Sequence, residues 1–193
     1  MKLLNRALGA TVIALAGAWA FAMSEGPGTE AHLPSQAAAD VLREQTGADG
    51  AFLAAGLVRE SYKSDNLASL IQYPTDEVVL VQLKGSQIRQ AFERSVSLYP
   101  QPNSSFLQIS GFEVTFSKSA AAGQRIMSVM AGSARLDDEK QYVVAMPNTL
   151  GRGGLGYFKI WDKSKIVKTS PLTVEGMLKG KKFAETSPRW SAL

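Results

Sequence analysis

A glycine-rich segment near the C-terminus has a spacing that some nucleotide-binding loops share. Residues 151–156 read Gly-Arg-Gly-Gly-Leu-Gly, which matches the pattern G-x-G-x-x-G after a plausible strand. In a dinucleotide-binding fold such glycines open a helix at the start of the fold, whereas here the aromatic, strand-like residues 157–161 follow near the end of the chain. The pattern disfavours dinucleotide binding and leaves two interpretations open: a tight loop that lines a pocket, or a turn between two sheet segments.

Arg59 also occupies a position that suits binding. It follows the apolar residues 51–55 and Gly56, so a strand that ends here presents a guanidinium at the edge of a sheet. A guanidinium in that place suits a carboxylate or a phosphate. A surface ion pair with Glu60 or Asp65 explains the same residue equally well, and composition alone does not choose between the two.

The composition excludes several classes of catalytic site. The sequence has no Cys and one His, so it lacks disulfides, thiol nucleophiles and the several imidazoles that a dinuclear hydrolase centre uses. His32 is close enough in sequence to serve Ser35 as a base, but it lies in a polar stretch without a recognisable acidic partner, and we expect a solvated side chain. The consecutive acids of residues 137–139 predict a turn before the next strand rather than a metal site.

Residues 1–22 form a predicted signal peptide. Lys2 and Arg6 precede an apolar stretch that ends on Ala-Phe-Ala at residues 20–22, a cleavage pattern for secretion. The apolar run is about 16 residues, shorter than the roughly 20 that span a bilayer, which favours cleavage after Ala22 over an uncleaved anchor and predicts no stable membrane span. A mature chain that begins at Met23 would be secreted or periplasmic, and the absence of Cys favours a bacterial periplasm.

The charge balance indicates no nucleic-acid partner. The net charge is +4, and two of these charges belong to the predicted signal peptide. The remainder is too small for the basic surface of a nucleic-acid-binding domain. The excess of Lys and Arg after residue 160 predicts a solvated basic face.

Predicted helices lie early in the chain and predicted strands lie late. Apolar residues at helical spacing follow the capping positions Ser35 and Ser64 and the turn at residues 84–86, and Arg89 and Glu93 form an expected i, i+4 pair. Short apolar or alternating runs predict strands, at residues 51–55, 78–83, 106–109, 112–116, 125–130 and 142–146. This order predicts an α+β fold with a mixed or antiparallel sheet and a few packed helices.

The same patterns divide the chain into four parts. Residues 23–34 form a polar linker after the signal peptide, and residues 35–165 form the folded domain. Residues 166–193 are predicted to be a basic C-terminal tail, loose at its end. Within that tail, exposure of the large apolar side chain of Trp190 is unfavourable, so we expect it to pack against the folded domain.

Six sequence blocks, in order and with matching spacing, resemble the C-terminal domain of the 5'-nucleotidase family. The blocks read TGAD, AAGLVR, LVQLKG, AFERSV, FLQISG and GGLGY, at residues 46–49, 54–59, 80–85, 91–96, 106–111 and 153–157. In that family an N-terminal metallophosphoesterase domain holds two metal ions and cleaves the phosphate ester, and the C-terminal domain binds the nucleoside. The resemblance therefore implies a substrate-binding domain alone, with no cofactor of its own because the family's metals belong to the catalytic domain.

The resemblance assigns the first part of the nucleoside site to two segments. The family pattern Asn-x-Gly-Gly-Ile-Arg supplies an Asn and an Arg that hold substrate; Arg59 matches the Arg, while Ala54 replaces the Asn. The family's Pro-Phe-Gly block supplies one of two rings that sandwich the base. Pro74 lies nearest to that ring in this sequence, and Tyr73 substitutes for it if the alignment shifts by one residue.

The second ring and a ribose-binding Asp belong to the family block Asn-Phe-x-x-x-Gly-Gly-Asp-Gly-Tyr. Here Asn148 is kept, Thr149 replaces the ring and Leu155 replaces the Asp. Gly153 and Gly154 keep the loop, and Arg152 is a possible new phosphate contact. Since each base–aromatic stack contributes about 1–3 kcal/mol, the resemblance implies a nucleoside site that is largely lost.

Two functions follow as hypotheses. The first is an exported, non-catalytic binding or interaction module with a degraded nucleoside site. The second is a nucleotide-binding subunit of a 5'-nucleotidase-type hydrolase, working in nucleotide catabolism with a separate metallophosphoesterase. In both hypotheses the chain is not expected to catalyse alone, although the resemblance implies membership of a hydrolase family.

Overall fold

The computed structural model describes residues 26–193. The predicted signal peptide, its cleavage site after Ala22 and the beginning of the predicted linker lie outside the described residues. Within residues 26–193 the strands form one five-stranded sheet and one four-stranded sheet, and the helices pack against them.

Four helices, counted within residues 26–193, surround the sheets. They are α1 (Leu33–Thr46), α2 (Gly85–Ser95), α3 (Asn148–Gly151) and α4 (Val174–Leu178). The strands of the five-stranded sheet are β1 (Gly50–Ala54), β2 (Glu77–Lys84), β3 (Leu107–Ser110), β7 (Gln141–Pro147) and β8 (Ile166–Thr173). Those of the four-stranded sheet are β4 (Phe112–Phe116), β5 (Ile126–Ala131), β6 (Ala134–Arg135) and β9 (Trp190–Ala192).

Helix α1 begins two residues before the predicted cap. Pro34 lies in the first turn, where its missing N–H costs nothing, and His32 is the N-cap residue. The helix ends at Thr46, and the C-cap residue Gly47 adopts the left-handed conformation with φ +67°, which glycine tolerates best. The part of the predicted linker that is described is attached to the domain, because the Gln108 amide donates to the carbonyl oxygens of Pro27 and Glu30 at 2.8 Å each.

The five-stranded sheet is mixed, in the order β3-β1-β7-β2-β8. Strand β1 is buried along its whole length and pairs in parallel with β7 and antiparallel with β3. Strand β2 is antiparallel to β7, and β8 is antiparallel to β2. At one end of the strands, the C-terminal ends of β1, β7 and β8 therefore lie beside the N-terminal ends of β2 and β3. We call this end of the sheet the site edge; it carries the loops at residues 55–60, 72–76, 102–106 and 148–158.

Helix α2 follows its predicted apolar face but not its predicted ion pair. Ile88 and Phe92 are fully buried. Arg89 bonds to Asp138 at 3.0 Å instead of Glu93. The Glu93 carboxylate accepts the backbone N–H groups of Arg125 and Ile126, at 3.0 and 2.7 Å, because strand β5 packs against this face of the helix and its first N–H groups need acceptors.

The segment predicted as a basic tail is part of the folded domain. Strand β8 pairs with β2, α4 buries Val174 and Leu178, and β9 pairs in parallel with β4. Trp190 packs against the rings of Phe92, Phe106 and Phe116 and remains 5% exposed. The alternation that marks strands is weak here because β8 and β9 are edge strands, and edge strands with one solvated face tolerate lysines.

A substitution of Trp190 tests whether the C-terminal segment belongs to the core. Trp190→Ala should lower the free energy of unfolding by about 3–5 kcal/mol, because it empties a buried aromatic cluster. Urea denaturation followed by circular dichroism measures this change. Phe158→Ala is the matched control, since that ring is 64% exposed; a similarly small effect of both substitutions would contradict the placement of Trp190.

Candidate functional site

The candidate site lies at the site edge, where the topology brings distant segments together. Strands β1 and β7 are parallel, so the loops that follow them emerge side by side. Ligand sites favour such edges because loops there present polar groups without disturbing the sheet. Every residue that the sequence singles out for binding lies on these loops.

Arg59 lies in a short antiparallel pair on the loop after β1. Its N–H donates to the carbonyl oxygen of Leu70 at 2.8 Å, next to the bridge between Val58 and Ile71. The guanidinium is exposed, and within residues 26–193 it makes no hydrogen bond or ion pair. The ion pairs with Glu60 or Asp65 that the sequence left open are thus not formed, and the charge faces solvent.

Tyr73 lies two residues after Ile71, beyond the bridge between Val58 and Ile71. Tyr73 is 51% exposed and borders a depression together with Leu57, Asp76 and Pro147, in which no space is large enough for a water molecule. Tyr73 therefore does not face Arg59 across an open cleft.

Helix α3 positions the next group of predicted residues. The Asp76 carboxylate accepts the N–H of Thr149 at 3.0 Å, and the carbonyl oxygen of Asn148 accepts the N–H of Arg152 at 2.9 Å. Asn148 is half-buried, whereas Thr149 and Arg152 are exposed. The short helix thus brings Asn148 and Arg152 to the same edge as Tyr73, because Asp76 connects the two loops.

The glycines after α3 are required by packing. Gly153 has φ +88°, and a Cβ there would lie 2.7 Å from Cα of Phe158 and 2.8 Å from the carbonyl oxygen of Trp161. A Cβ on Gly154 would overlap the carbonyl group of Thr149. The backbone after Gly153 forms a 3₁₀ turn, Gly154–Lys159, rather than a dinucleotide-binding helix. The loop joins α3 to this 3₁₀ turn, so it is not the turn between two sheet segments that the pattern left open, and close packing accounts for both glycines.

Leu155 connects this loop to the loop that carries Arg59. It has φ +54°, a left-handed conformation that is unfavourable for a Leu side chain. Its carbonyl oxygen accepts hydrogen bonds from Arg94 Nη2 and Ser105 Oγ, at 2.7 Å each. The Leu155 side chain reaches Gly56, where an added Cβ would lie 3.2 Å from Cδ2 of Leu155. An apolar side chain therefore fills the space between the two loops.

Arg94 is a site-edge residue that sequence reasoning missed. Its guanidinium lies over the Tyr157 ring, 5.3 Å from the centroid, and its Nε is buried without a hydrogen-bond partner. Arg94 lies within the block at residues 91–96 that resembles the family, and this membership was the signal in the sequence that could have identified it. No spacing rule relates a residue on α2 to a carbonyl oxygen 61 positions later.

The aromatic segment at residues 157–161 is not a strand. Tyr157 and Trp161 stack in parallel with ring centroids 4.5 Å apart, an i, i+4 contact that requires helical rather than extended backbone. The Tyr157 hydroxyl donates to the carbonyl oxygen of Ser105 at 2.5 Å, and burial raises the pKa of Tyr157 well above its usual range. Two buried rings therefore anchor the loop that Leu155 belongs to.

The sequence profile described as "5'-nucleotidase, C-terminal domain" matches residues 20–162, which is more than half of the chain. The chain belongs to the 5'-nucleotidase C-terminal domain family. It is 30% identical over 158 residues to the 5'-nucleotidase-related protein of Glossina morsitans morsitans, and 35% identical over 107 residues to the human 5'-nucleotidase. These matches cover 75% and 51% of this chain, but only 28% and 18% of the relatives.

Solved structures with this architecture confirm the α+β fold expected from the sequence. The 5'-nucleotidase precursor from Thermus thermophilus aligns with a TM-score of 0.73 at 23% identity, over 86% of this chain and 36% of that one. The NAD nucleotidase of Haemophilus influenzae aligns with a TM-score of 0.67 at 18% identity, over 85% and 34% of the two chains. At these identities the likeness establishes the fold.

In the described part of this 5'-nucleotidase C-terminal domain, the side chains that the sequence offered for acid–base or metal chemistry have other partners. His32 is half-buried rather than solvated: its Nδ1 is 2.7 Å from Ser35 Oγ, and burial lowers its pKa. Ser35 is itself fully buried, so this pair does not present a nucleophile to solvent. Within residues 26–193 no three His, Asp or Glu side chains come together as a metal-binding group. Of the acids 137–139, Glu139 pairs with Lys84 and Asp138 with Arg89, and the Asp137 carboxylate accepts the N–H of Glu139.

Replacement of Gly153 tests the packing origin of the glycine loop in this 5'-nucleotidase C-terminal domain. Gly153→Ala should destabilise the protein by about 3 kcal/mol, because it adds a backbone overlap to the strain of a positive φ. Gly123→Ala is the matched control, since Gly123 has φ +87° and open space around it, and should cost about 1 kcal/mol. Chemical denaturation measures both; equal costs would contradict a packing requirement at Gly153.

Proposed function

We propose that this 5'-nucleotidase C-terminal domain is a non-catalytic binding module whose nucleoside site has degraded. The position of Leu155 carries the proposal. Where the resemblance expects a ribose-binding carboxylate, an apolar side chain lies against Gly56, and Arg94 fixes its carbonyl oxygen. A ribose hydroxyl at this point would find no charged acceptor and would lie against a methyl group of Leu155. A polar group without a hydrogen-bond partner in an apolar environment is unfavourable.

The surroundings of Tyr73 support the same proposal. The depression beside this residue is closed, and Thr149 offers no ring on the opposite loop. Loss of two base–aromatic stacks removes about 2–6 kcal/mol of binding free energy at roughly 1–3 kcal/mol each. Loss of the ribose-binding carboxylate costs roughly 1–3 kcal/mol more. Since 1.4 kcal/mol is about tenfold in affinity, a nucleotide site would weaken by at least about a hundredfold.

A second function has one observation in its favour. Arg59 and Arg152 are both exposed at the site edge, and neither guanidinium has a hydrogen bond or ion pair within the described part of the chain. Two unpaired guanidinium groups suit the phosphates of a nucleotide. In this second function the chain is the nucleotide-binding subunit of a 5'-nucleotidase-type hydrolase, and a separate metallophosphoesterase supplies the metals and the cleavage.

Export is part of both proposed functions. It rests on the basic start, apolar stretch and Ala-Phe-Ala ending of residues 1–22. Among the described residues, no helix is both long enough and apolar enough to cross a membrane. We propose that the mature chain begins at Met23 and works outside the cytoplasm.

A nucleotide titration separates the two functions. Residues 23–193 are titrated with AMP, adenosine and UDP-glucose, without metal, and binding is followed by calorimetry and by thermal shift. The degraded-site proposal predicts no heat and no stabilisation up to millimolar ligand, because stabilisation follows RT ln(1 + [L]/Kd). Phosphate release from AMP with added Mn²⁺, lost on Arg59→Ala, would contradict a non-catalytic role.

The second function predicts the opposite result in the same titration. AMP and UDP-glucose should then bind with a Kd below about 100 μM, and Arg59→Ala should weaken them by about tenfold, the usual scale of one charge-assisted bond. Arg135→Ala is the matched control, because Arg135 is exposed on β6 in the other sheet. An equal loss with both variants would indicate general charge attraction instead of a phosphate contact.

A further inference from the structure

A cavity of about 440 Å³ opens beside the N-terminal segment. We call it the N-terminal groove. Its walls are residues 26–29 and His32, the loop after β1 from Ala55 to Glu60, and residues 102–104. The volume is within the range of small-molecule sites, and the groove shares no lining residue with the depression at Tyr73.

The walls of the N-terminal groove are held in place by buried hydrogen bonds. Gln108 is fully buried, and its amide fixes the carbonyl oxygens of Pro27 and Glu30 and accepts the N–H of His32 at 2.9 Å. The N–H of Asn103 donates to the carbonyl oxygen of Gly28 at 2.9 Å. The groove is therefore formed before any ligand arrives, which lowers the cost of binding.

The groove is poorly suited to a phosphate or a carboxylate. Its lining includes neither Lys nor Arg. The wall N–H groups of Ala55, Gly56, Val58 and Asn103 already donate to backbone carbonyl oxygens. Since anions in proteins are most strongly bound by cationic side chains, the absence of Lys and Arg from the lining makes the groove a poor site for an anion.

The charge in the groove favours a cation. Glu60 is exposed, and within residues 26–193 its carboxylate has no hydrogen bond or ion pair. His32 is the other titratable residue in the lining; its Nδ1 is engaged by Ser35, and burial lowers its pKa and so favours the neutral ring. The rest of the lining is uncharged: Pro27, Val58 and Pro102 are apolar, and Thr29, Asn103 and Ser104 are polar.

From these observations we infer that the N-terminal groove binds a small organic cation, with its ammonium group on the Glu60 carboxylate and its apolar body along Pro27, Val58 and Pro102. This ligand class differs from the nucleotides of the proposed functions. The site uses none of Arg59, Tyr73 or Arg152, so it goes beyond the residues on which the proposed functions rest.

The test uses tyramine and agmatine as ammonium probes, N-acetyltyramine as the neutral counterpart, and inorganic phosphate as the anion. Calorimetry on residues 23–193 measures affinity, and ¹H–¹⁵N spectra report the amide signals of Gly28 and Gly56. We expect at least one ammonium probe to bind and to shift those signals, while N-acetyltyramine and phosphate do not. Glu60→Gln should weaken binding by about tenfold, and Glu175→Gln, an exposed acid on α4, should leave it unchanged.

A second variant tests whether the ammonium probe binds inside the N-terminal groove, and it leaves the charge of the groove unchanged. Ser104→Trp puts a large ring into the groove from an exposed position and keeps the backbone carbonyl that accepts the N–H of Gly56. It should abolish probe binding while the thermal unfolding temperature stays near the unmodified value. Failure of both ammonium probes to bind at about 20 mM, phosphate binding at the Gly28 and Gly56 signals, or unchanged affinity in Glu60→Gln would overturn the inference.

Discussion

The parallel pairing of β1 with β7 is the constraint on which the site edge depends. It joins Gly50 to Val144 and Ala51 to Ala145, and so brings the loop of Arg59 next to the loop of Asn148. Asp49 fixes the register at the start of β1, since its N–H donates to the carbonyl oxygen of Val143 at 2.9 Å and its carboxylate accepts the Val143 N–H at 2.8 Å. A one-residue slip in the register would break both hydrogen bonds and move the side chains of β1 to the opposite faces of the sheet.

The contacts that hold the loops in place are different from those that would hold a nucleoside. Asp76 orients α3 through the backbone of Thr149, and Arg94 holds the loop after it through the carbonyl oxygen of Leu155. Neither contact depends on the side chain at position 149 or 155. The fold can therefore be kept with Thr149 and Leu155 at the two positions where the resemblance implies a ring and an Asp, as the proposed function requires.

Much of the fold was predictable from the sequence, because local pattern and tertiary role agree there. Examples are the face of α2 with Ile88 and Phe92, the Gly47 terminus of α1 and the strict alternation of β4.

The place of the tail was not predictable, because β9 is held there by residues far away in the sequence. One of them is Asp40, whose carboxylate accepts two hydrogen bonds from Arg189. The prediction that residues 157–161 are strand-like was wrong. Their β-branched and aromatic composition favours a strand, but the stack of Tyr157 on Trp161 stabilises a turn. The candidate site was located by the resemblance, but Arg94 and the groove beside His32 needed the structure.

A restoration experiment tests the central claim, that the architecture of a nucleoside site persists without its ligand-binding side chains. The variant Pro74→Phe, Thr149→Phe and Leu155→Asp returns two rings and one carboxylate to loops whose backbone is already in place. If the account is right, the folded variant binds AMP by calorimetry at least about a hundredfold more tightly than the unmodified chain, as two stacks and one carboxylate at about 1–3 kcal/mol each imply. A variant that folds with an unchanged thermal unfolding temperature and binds AMP no better would contradict it.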